Sequence, residues 1–594
     1  MKVFEANITY QVADYLNFSL KDINSFETAN QKLFDAFGIT LFFDNNEELE
    51  TLKENILLTN ELIYEPDRSE YGDFQTNEDL AKKVSLFLSK KLANPQIIIE
   101  PTCGKGNFII ASLANFSSIE NIYGIEIYKP YVWETKFNII EFYLNNPQEQ
   151  KAQISIIHSD VFEYDFKKIA KQYSEKEILV IGNPPWVTNA KLGSLNSSNL
   201  PKKANFKNQS GLDAMTGKGN FDIAEFIMLK MLEIFQSIKG NLLFLVKNSV
   251  IKNILTEQKK NKYTVSEIEK YCIDSKKEFN VSVEASLLFC QFKSNPAYYC
   301  TEYDFYNAQE PILQFGWLDN KFVSNIDIYS HTKNIDGECP FVWRQGLKHD
   351  CSSIMELDKS GGDSLDGYYV NGLNEEIKLE DDLVYGLLKS SDLKNTVINQ
   401  TRKFTIVTQK KVGQETKYIK HEFPKTFQYL IDHQDSFNAR KSSIYNNKPA
   451  FSIFGVGDYS FKPYKVAISG LYKTFHFTLI LPQNEKPVML DDTCYLLGFD
   501  KIEFAVYTLI LLNSEITVKF LQSVTFADAK RTFTKDVLMR IDLLELANTI
   551  NRSYLELELQ RLNDVYNFNL KLSLWNKFIE EMSPVKNKQV ELFA

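Results

Sequence analysis

Between residues 93 and 292 short, β-rich apolar runs alternate with amphipathic stretches of helix length, and this alternation constrains the fold more than any other feature of the chain. The runs are QIIIE (96–100), NIYGIEI (121–127), ISIIH (154–158), EILVIG (177–182), GNLLFLV (240–246) and ASLLFCQF (285–292), with 107–115, 130–144 and 221–236 as matching helices. Strands and helices taken in turn build a parallel sheet covered on both faces, so the expected class is α/β, a doubly wound sheet. The 594 residues exceed the roughly 250–300 at which one core stops growing, so further domains are expected. Residues 1–70 read as a helical extension and 71–300 as the α/β domain. After residue 300 aromatic, β-branched runs mingle with turns, giving a mixed α+β domain over 301–536 and a helical segment over 537–594.

Charge and cysteine content narrow the function classes. With 77 acidic and 67 basic side chains the net charge is −10, so no overall cationic surface announces a polyanion. The distribution is uneven, however. Residues 351–400 carry ten acidic and four basic side chains, 401–450 carry ten basic and four acidic, and seven of the eight arginines follow residue 343. Taken alone, a charge run is a solvated face; arginine is also the residue whose planar fork reads guanine edges and clamps phosphates. The seven cysteines include no C-x-x-C pair, which disfavours a disulfide framework and a zinc cluster and fits a reducing cytosol. The longest aliphatic stretches, such as 504–512, fall well short of the ~18 residues of a membrane span, and the N-terminus has no signal-peptide pattern. A cytoplasmic protein without a membrane partner is expected.

The first chemical site is Glu100-Pro101-Thr102-Cys103-Gly104-Lys105-Gly106-Asn107, which leaves a strand and enters a helix. Glycines there allow a sharp bend and close ligand approach, and the helix N-terminus offers free N–H groups. Twenty residues after Gly106 the next strand ends at Glu126, where a carboxylate can accept both hydroxyls of a ribose. A third strand ends at Ser159-Asp160-Val161. Acids at the carboxyl ends of three successive strands make a nucleoside site in the crevice of an open sheet. A dinucleotide-binding loop would need G-x-G-x-x-G, but the third glycine position holds Ile109, and Glu100 would repel a pyrophosphate while suiting a cationic amine. Adenosine joined to an amino-acid-like cation describes S-adenosylmethionine.

The strongest signal is Gly182-Asn183-Pro184-Pro185-Trp186 at the end of the fourth strand, 83 residues after Glu100. In isolation these residues would be an ordinary Asn-Pro turn. Placed after the three acids, the two prolines fix a turn on which the Asn183 amide oxygen and the Pro184 carbonyl can face one amino group, while Trp186 offers a flat surface. An amino group on a heteroaromatic ring is a poor nucleophile, because its lone pair is delocalised. Two acceptors on its hydrogens draw it towards tetrahedral geometry and free the lone pair for attack on a sulfonium methyl. Neither a metal nor a catalytic cysteine is required.

On these residues the sequence resembles the amino-methyltransferases that modify adenine N6 in DNA, in the order in which the cofactor motif precedes the catalytic motif and the target-recognition domain comes last. The likeness covers roughly 71–300, with a looser likeness beyond. It implies a Rossmann-like fold, S-adenosylmethionine as cofactor, double-stranded DNA as partner and base flipping. Tyr71-Gly72-Asp73-Phe74-Gln75-Thr76-Asn77 is similar to the family's extra cofactor segment, with Thr76 at the methionine portion. By the same resemblance Glu100, Thr102, Gly104 and Gly106 hold the methionine side, Glu126 and Ile127 the ribose and one adenine face, and Asp160 with Val161 the cofactor adenine. Asn183, Pro184, Pro185 and Trp186 grip the target base, and Phe279 is the second aromatic packing on it; its plain alternative is a core phenylalanine.

The family more often has tyrosine at the position of Trp186, and some members carry an aromatic where Val161 stands. Segments 387–393, 455–463 and 530–535 resemble recognition domains of restriction-modification methyltransferases, and Arg402, Lys403, Lys410, Lys411, Lys530 and Arg531 are the candidate DNA contacts. The resemblance implies a monomer on DNA, with any cognate restriction endonuclease a separate protein. The 187–220 connector, rich in Asn, Ser, Gly and Lys, is long enough to be functional and is expected to order over DNA near the flipped base. Competing readings are the same chemistry on RNA or on a protein glutamine, a cytosine-N4 target, and a non-catalytic DNA-binding protein that keeps the fold.

Overall fold

The structure, a computed structural model, describes residues 2–58, 75–92, 94–187, 222–279, 283–359, 367–526 and 532–583. Connector 188–221, Lys530 and Arg531 lie outside the described residues, as do Tyr71 to Phe74. The chain divides into two units, Met1–Phe322 and Val323–Ala594.

The first unit is built on a ten-stranded sheet. Its strands are β1 (Ile97–Glu100), β2 (Asn121–Glu126), β3 (Gln153–His158), β4 (Ile178–Gly182), β5 (Gly240–Lys247), β6 (Val265–Cys272), β7 (Ala285–Phe292), β8 (Tyr299–Asp304), β9 (Leu313–Leu318) and β10 (Lys321–Val323). Their spatial order is β10-β9-β8-β6-β7-β5-β4-β1-β2-β3. Strands β1 to β5 run parallel, and β7 lies antiparallel between β5 and β6. The sequence pattern explains the order. Every residue of β1 and β4 is buried, as befits central strands covered on both faces, whereas β3 alternates buried and exposed positions, as an outer strand does.

The described helices of this unit are α1 (Tyr10–Leu20), α2 (Phe26–Phe37), α3 (Asn46–Leu58), α4 (Glu78–Lys91), α5 (Asn107–Asn115), α6 (Lys129–Asn145), α7 (Phe166–Gln172), α8 (Ile223–Phe235), α9 (Asn248–Asn261) and α10 (Ser275–Phe279). The N-terminal segment packs on α6 through Phe42, Phe43, Trp133 and Phe137, whose rings sit 4.9–6.2 Å apart. It also covers the outer edge of β3. Gly38, left-handed at φ 73°, ends α2 and lets Thr40 donate to the Ile154 carbonyl at 2.8 Å. A Cβ on Gly38 would stand 1.9 Å from the Ala152 carbonyl oxygen, so this edge cover requires glycine.

The second unit holds two smaller sheets. One contains β11 (Arg344–Gln345), β16 (Val397–Ile398), β18 (Tyr464–Ser469), β19 (Thr478–Ile480) and β21 (Cys494–Phe499) in the order β11-β21-β18-β19-β16. The other contains β12 (Glu356–Lys359), β13 (Tyr368–Asn371), β14 (Glu376–Lys378), β15 (Val384–Leu388), β17 (Lys403–Ile406) and β20 (Met489–Leu490) in the order β14-β13-β12-β17-β15-β20. Helix Ile502–Leu512 is buried from Phe504 onward and packs on β18, while the helices Arg552–Tyr566 and Trp575–Met582 belong to the same unit. Among the described residues no single helix is long and apolar enough to cross a membrane.

Candidate active site

The strand order reverses between β1 and β4, so the loops that follow these two neighbours open into one crevice. The loop after β1 carries Glu100 to Gly106, and the loop after β4 carries Asn183 to Trp186. Gly104 and Gly106 are both left-handed, at φ 53° and 79°. A Cβ on Gly104 would meet the Gln75 side-chain oxygen at 2.4 Å, and one on Gly106 would meet Thr135 Cγ2 at 2.6 Å. The backbone angle favours glycine at both positions, and at Gly106 the approach of Thr135 adds to it, whereas the Gln75 side chain could shift away from a Cβ at 104.

Glu126, at the end of β2, accepts from the Gly104 N–H at 2.9 Å through Oε2 and from the Tyr128 N–H at 2.8 Å through Oε1. Its carboxylate thus fixes the glycine loop beside the place a ribose would occupy. Glu100 is 2% exposed, and its Oε2 has no hydrogen-bond partner. Burial first, and the neighbouring Glu126 charge second, push its carboxyl well above the usual carboxylate range. Thr102 Oγ1 is likewise buried without a partner. A buried acid and a buried hydroxyl left unsatisfied in one loop are costly unless a ligand completes them. The donor set fits a group bearing an ammonium and a sulfonium, and S-adenosylmethionine is such a group.

Asp160 follows β3, and its Oδ1 accepts from the Phe162 N–H at 2.8 Å. Lys230 on α8 braces this loop, its ammonium donating to the carbonyls of Val161, Phe162 and Tyr164 at 2.7, 3.0 and 3.3 Å. Val161 is buried, while Ile127 is 38% exposed and so presents an apolar face at the end of β2.

In the turn after β4, Asn183 Nδ2 donates to Thr76 Oγ1 at 3.2 Å. That bond commits the amide nitrogen to the protein and fixes the orientation of its oxygen. The Trp186 indole is 8% exposed, donates from Nε1 to the Leu245 carbonyl at 3.3 Å and meets the Phe279 ring edge-on at 5.2 Å. The two aromatics expected to pack on a base are therefore neighbours, although nearly a hundred residues separate them in sequence.

Three consecutive residues tie the crevice together. Gln75 accepts from the Lys105 N–H at 3.2 Å, holding the glycine loop. Thr76 holds Asn183 through its hydroxyl and accepts from Asn107 Nδ2 through its carbonyl at 2.7 Å. Asn77 caps α4 and donates to the Glu278 carbonyl and carboxylate at 3.3 and 3.1 Å, on the short helix that ends at Phe279. The sequence puts Thr76 at the expected cofactor site but carries no sign of its link to the Asn183 amide. It also misses Gln75, Lys230 and two braces on α6: Thr135, which donates to the Gly104 carbonyl at 2.8 Å, and Asn138, which donates to the Lys105 carbonyl at 2.9 Å. Only Gln75, adjacent to Thr76, carries a sequence signal.

The candidate DNA contacts divide. Arg402 is paired with Asp392 and Lys403 with Asp358, each at 2.7 Å. Lys410 is exposed, and Lys411 lies 3.8 Å from Asp458 in a solvent-facing pair. Arg440, in the same basic stretch, is turned inward onto the carbonyls of His349 and Ser452.

A sheet ordered 3-2-1-4-5-7-6 with an antiparallel seventh strand, carrying acids and a glycine loop at its switch point, defines a Rossmann-like methyltransferase. No family model matches the chain. The type II methyltransferase M.NspV from Nostoc sp. is 41% identical over 488 residues, which are 82% of this chain and 99% of that protein. The chain belongs to the type II methyltransferase family. Among solved structures, the type IIL restriction-modification enzyme MmeI in complex with DNA is similar at a TM-score of 0.47 and 11% identity, over 86% of this chain and 76% of that one. The type IIG restriction endonuclease BpuSI is similar at 0.34 and 14%, over 90% and 63%.

Proposed function

We propose that this methyltransferase transfers a methyl group to the N6 amino group of adenine at a specific site in duplex DNA, as the modification enzyme of a restriction-modification system. The observation that carries this reading is the Asn183 amide held by Thr76 at the rim of an acid-lined crevice, with Trp186 and Phe279 beside it. S-adenosylmethionine in that crevice would supply a methyl on a sulfonium that needs no further activation. Glu100 and Thr102 would bind its cationic end, Glu126 the ribose, and Ile127, Asp160 and Val161 the adenine. The Asn183 amide oxygen and the Pro184 carbonyl would accept the two hydrogens of the target amine, which localises its lone pair for in-line attack. Because an amine in a stacked duplex cannot reach this depth, the base must be flipped out to pack against the Trp186–Phe279 pair.

In this reading the second unit chooses the site, and the protein acts in the cytoplasm as a monomer, with any endonuclease separate. Incubating the protein with S-adenosylmethionine labelled in its methyl group and duplex DNA, then resolving the nucleosides, tests it. Label in N6-methyladenine is the expected result. Label in N4-methylcytosine, in RNA or in protein alone would overturn it.

Thr76 gives a narrower test of the amide's positioning. Replacing it by valine keeps the shape but leaves the Asn183 nitrogen without its acceptor, a loss of about 1–2 kcal/mol in preorganisation. At saturating cofactor, T76V should lower kcat by about tenfold, whereas T76S should restore most of it. Equal kcat in the two variants would remove Thr76 from the orientation of Asn183.

A further inference from the structure

The second unit contains a concavity of about 490 Å³ lined by residues that include Arg344, Lys411, Asp458 and Tyr459. Arg344 sits on β11, the outermost strand of its sheet, where it is paired with Leu496. Its guanidinium lies over the Tyr459 ring at 5.3 Å. That ring belongs to a turn, Asp458–Phe461, closed by the Ser460 N–H on the Gly457 carbonyl at 2.8 Å and by the Gly457 N–H on Ser460 Oγ at 3.3 Å.

Arg344 is exposed and stands apart from the other described arginines. Arg402, Arg540, Arg552 and Arg561 each pair with an acid, and Arg440 is spent on backbone carbonyls. Arg344 has neither kind of partner: like Arg440 and Arg540 it lies over an aromatic ring, but it alone among the described arginines does so with its donors uncommitted. An exposed arginine beside an aromatic ring with its donors unused is suited to bidentate recognition.

The other charges that line the concavity decide what it can recognise. Asp458 and Lys411 are both largely exposed and only loosely paired at 3.8 Å, so each can exchange its partner for a ligand. A carboxylate in the same concavity repels a phosphate but accepts readily from an amino group. In the major groove a G·C pair presents two acceptors, guanine O6 and N7, next to one donor, cytosine N4. Resting on the reading of the chain as a DNA methyltransferase, we propose that this concavity receives the major-groove edge of a G·C pair, with Arg344 on the guanine and Asp458 on the cytosine amino group. Sequence reading singles out Lys411 and the 455–463 segment but gives Arg344 no role.

The test begins with the methylated site, read from the genomic DNA of cells expressing the full-length protein. Duplexes carrying that site, with 7-deazaguanine replacing each guanine in turn, are then methylated by wild type, R344A and R344K. Wild type should lose about tenfold in kcat/KM at one guanine, where N7 is missing. R344A should be about 10–100-fold weaker on the unmodified duplex and insensitive to 7-deazaguanine at that one position. R344K should lose the same discrimination while keeping the charge, and all three proteins should bind S-adenosylmethionine and unfold alike. A site without a G·C pair would overturn the proposal. So would R344A remaining sensitive at every guanine, or weakening equally on all sequences with a salt dependence shallower by about one, which marks a phosphate contact. Failure of wild type to methylate any DNA would instead overturn the reading of function on which the proposal rests.

Discussion

Replacing Asn183 by alanine is expected to lower kcat for methyl transfer by about 10²–10³-fold while leaving S-adenosylmethionine affinity within a few-fold of wild type. The magnitude follows from what the amide does in the proposed mechanism. Removing one preorganised dipole aimed at developing charge costs about 3–4 kcal/mol in sites of this kind. Here the dipole is held by the protein before substrate arrives, because Nδ2 is already bonded to Thr76 at 3.2 Å. Cofactor affinity should survive, since the acids and the glycine loop are braced by Gln75, Glu126, Thr135 and Asn138 without Asn183. Single-turnover methylation and calorimetric titration of the cofactor separate the two effects. Near-normal turnover in N183A would remove the amide from the chemistry.

Glu100→Gln is expected to produce opposite changes in stability and binding. In the wild-type protein the Glu100 carboxyl is buried with one oxygen unpartnered and stands near Glu126, so its folded-state pKa lies well above its value in the unfolded chain. The folded state therefore keeps this proton to higher pH than the unfolded state does. Its contribution to stability is intact below the unfolded value of about 4.3 and is lost as pH rises towards the folded value. Glutamine has no such proton, so E100Q should abolish this slope. At neutral pH without cofactor it should also stabilise the protein by about 1–2 kcal/mol, a rise in melting temperature of about 1–3 °C.

Cofactor binding should move the other way. A cationic ligand favours the ionised carboxylate, and losing a charge-assisted hydrogen bond in a buried site costs about 2–4 kcal/mol, or roughly 30–1000-fold in affinity. Saturating S-adenosylmethionine should thus raise the melting temperature of wild type and leave that of E100Q almost unmoved. Cofactor affinity equal in the two proteins would show that Glu100 does not face the ligand's cation.

The pattern of apolar runs was enough to read the catalytic sheet, because buried strands covered on both faces leave continuous Val/Ile/Leu stretches. The runs ending at Glu100, Glu126, His158 and Gly182 are strands β1 to β4 in parallel order. Strands β6, β8 and β9 were harder to read. VSEIEKYC and YCTEYD mix charge with apolar residues, since these strands lie towards the other edge of the sheet, where one side meets solvent.

The sequence by itself determined which residues are candidates for the chemistry, because Glu100, the glycines and Asn183 to Trp186 are contiguous with the strands that display them, and local pattern fixes both together. Tertiary structure alone decided their partners. Thr76 reaches Asn183 across 107 residues, and Phe279 reaches Trp186 across a comparable distance. It also decided which cations are spoken for. Arg402, in the most basic stretch, is tied to Asp392, while Arg344, isolated in sequence, lies with its fork open on Tyr459. Charge along a chain is a sum over neighbours in sequence, whereas the charge a ligand meets is what remains after neighbours in space have paired, and only the fold says which those are.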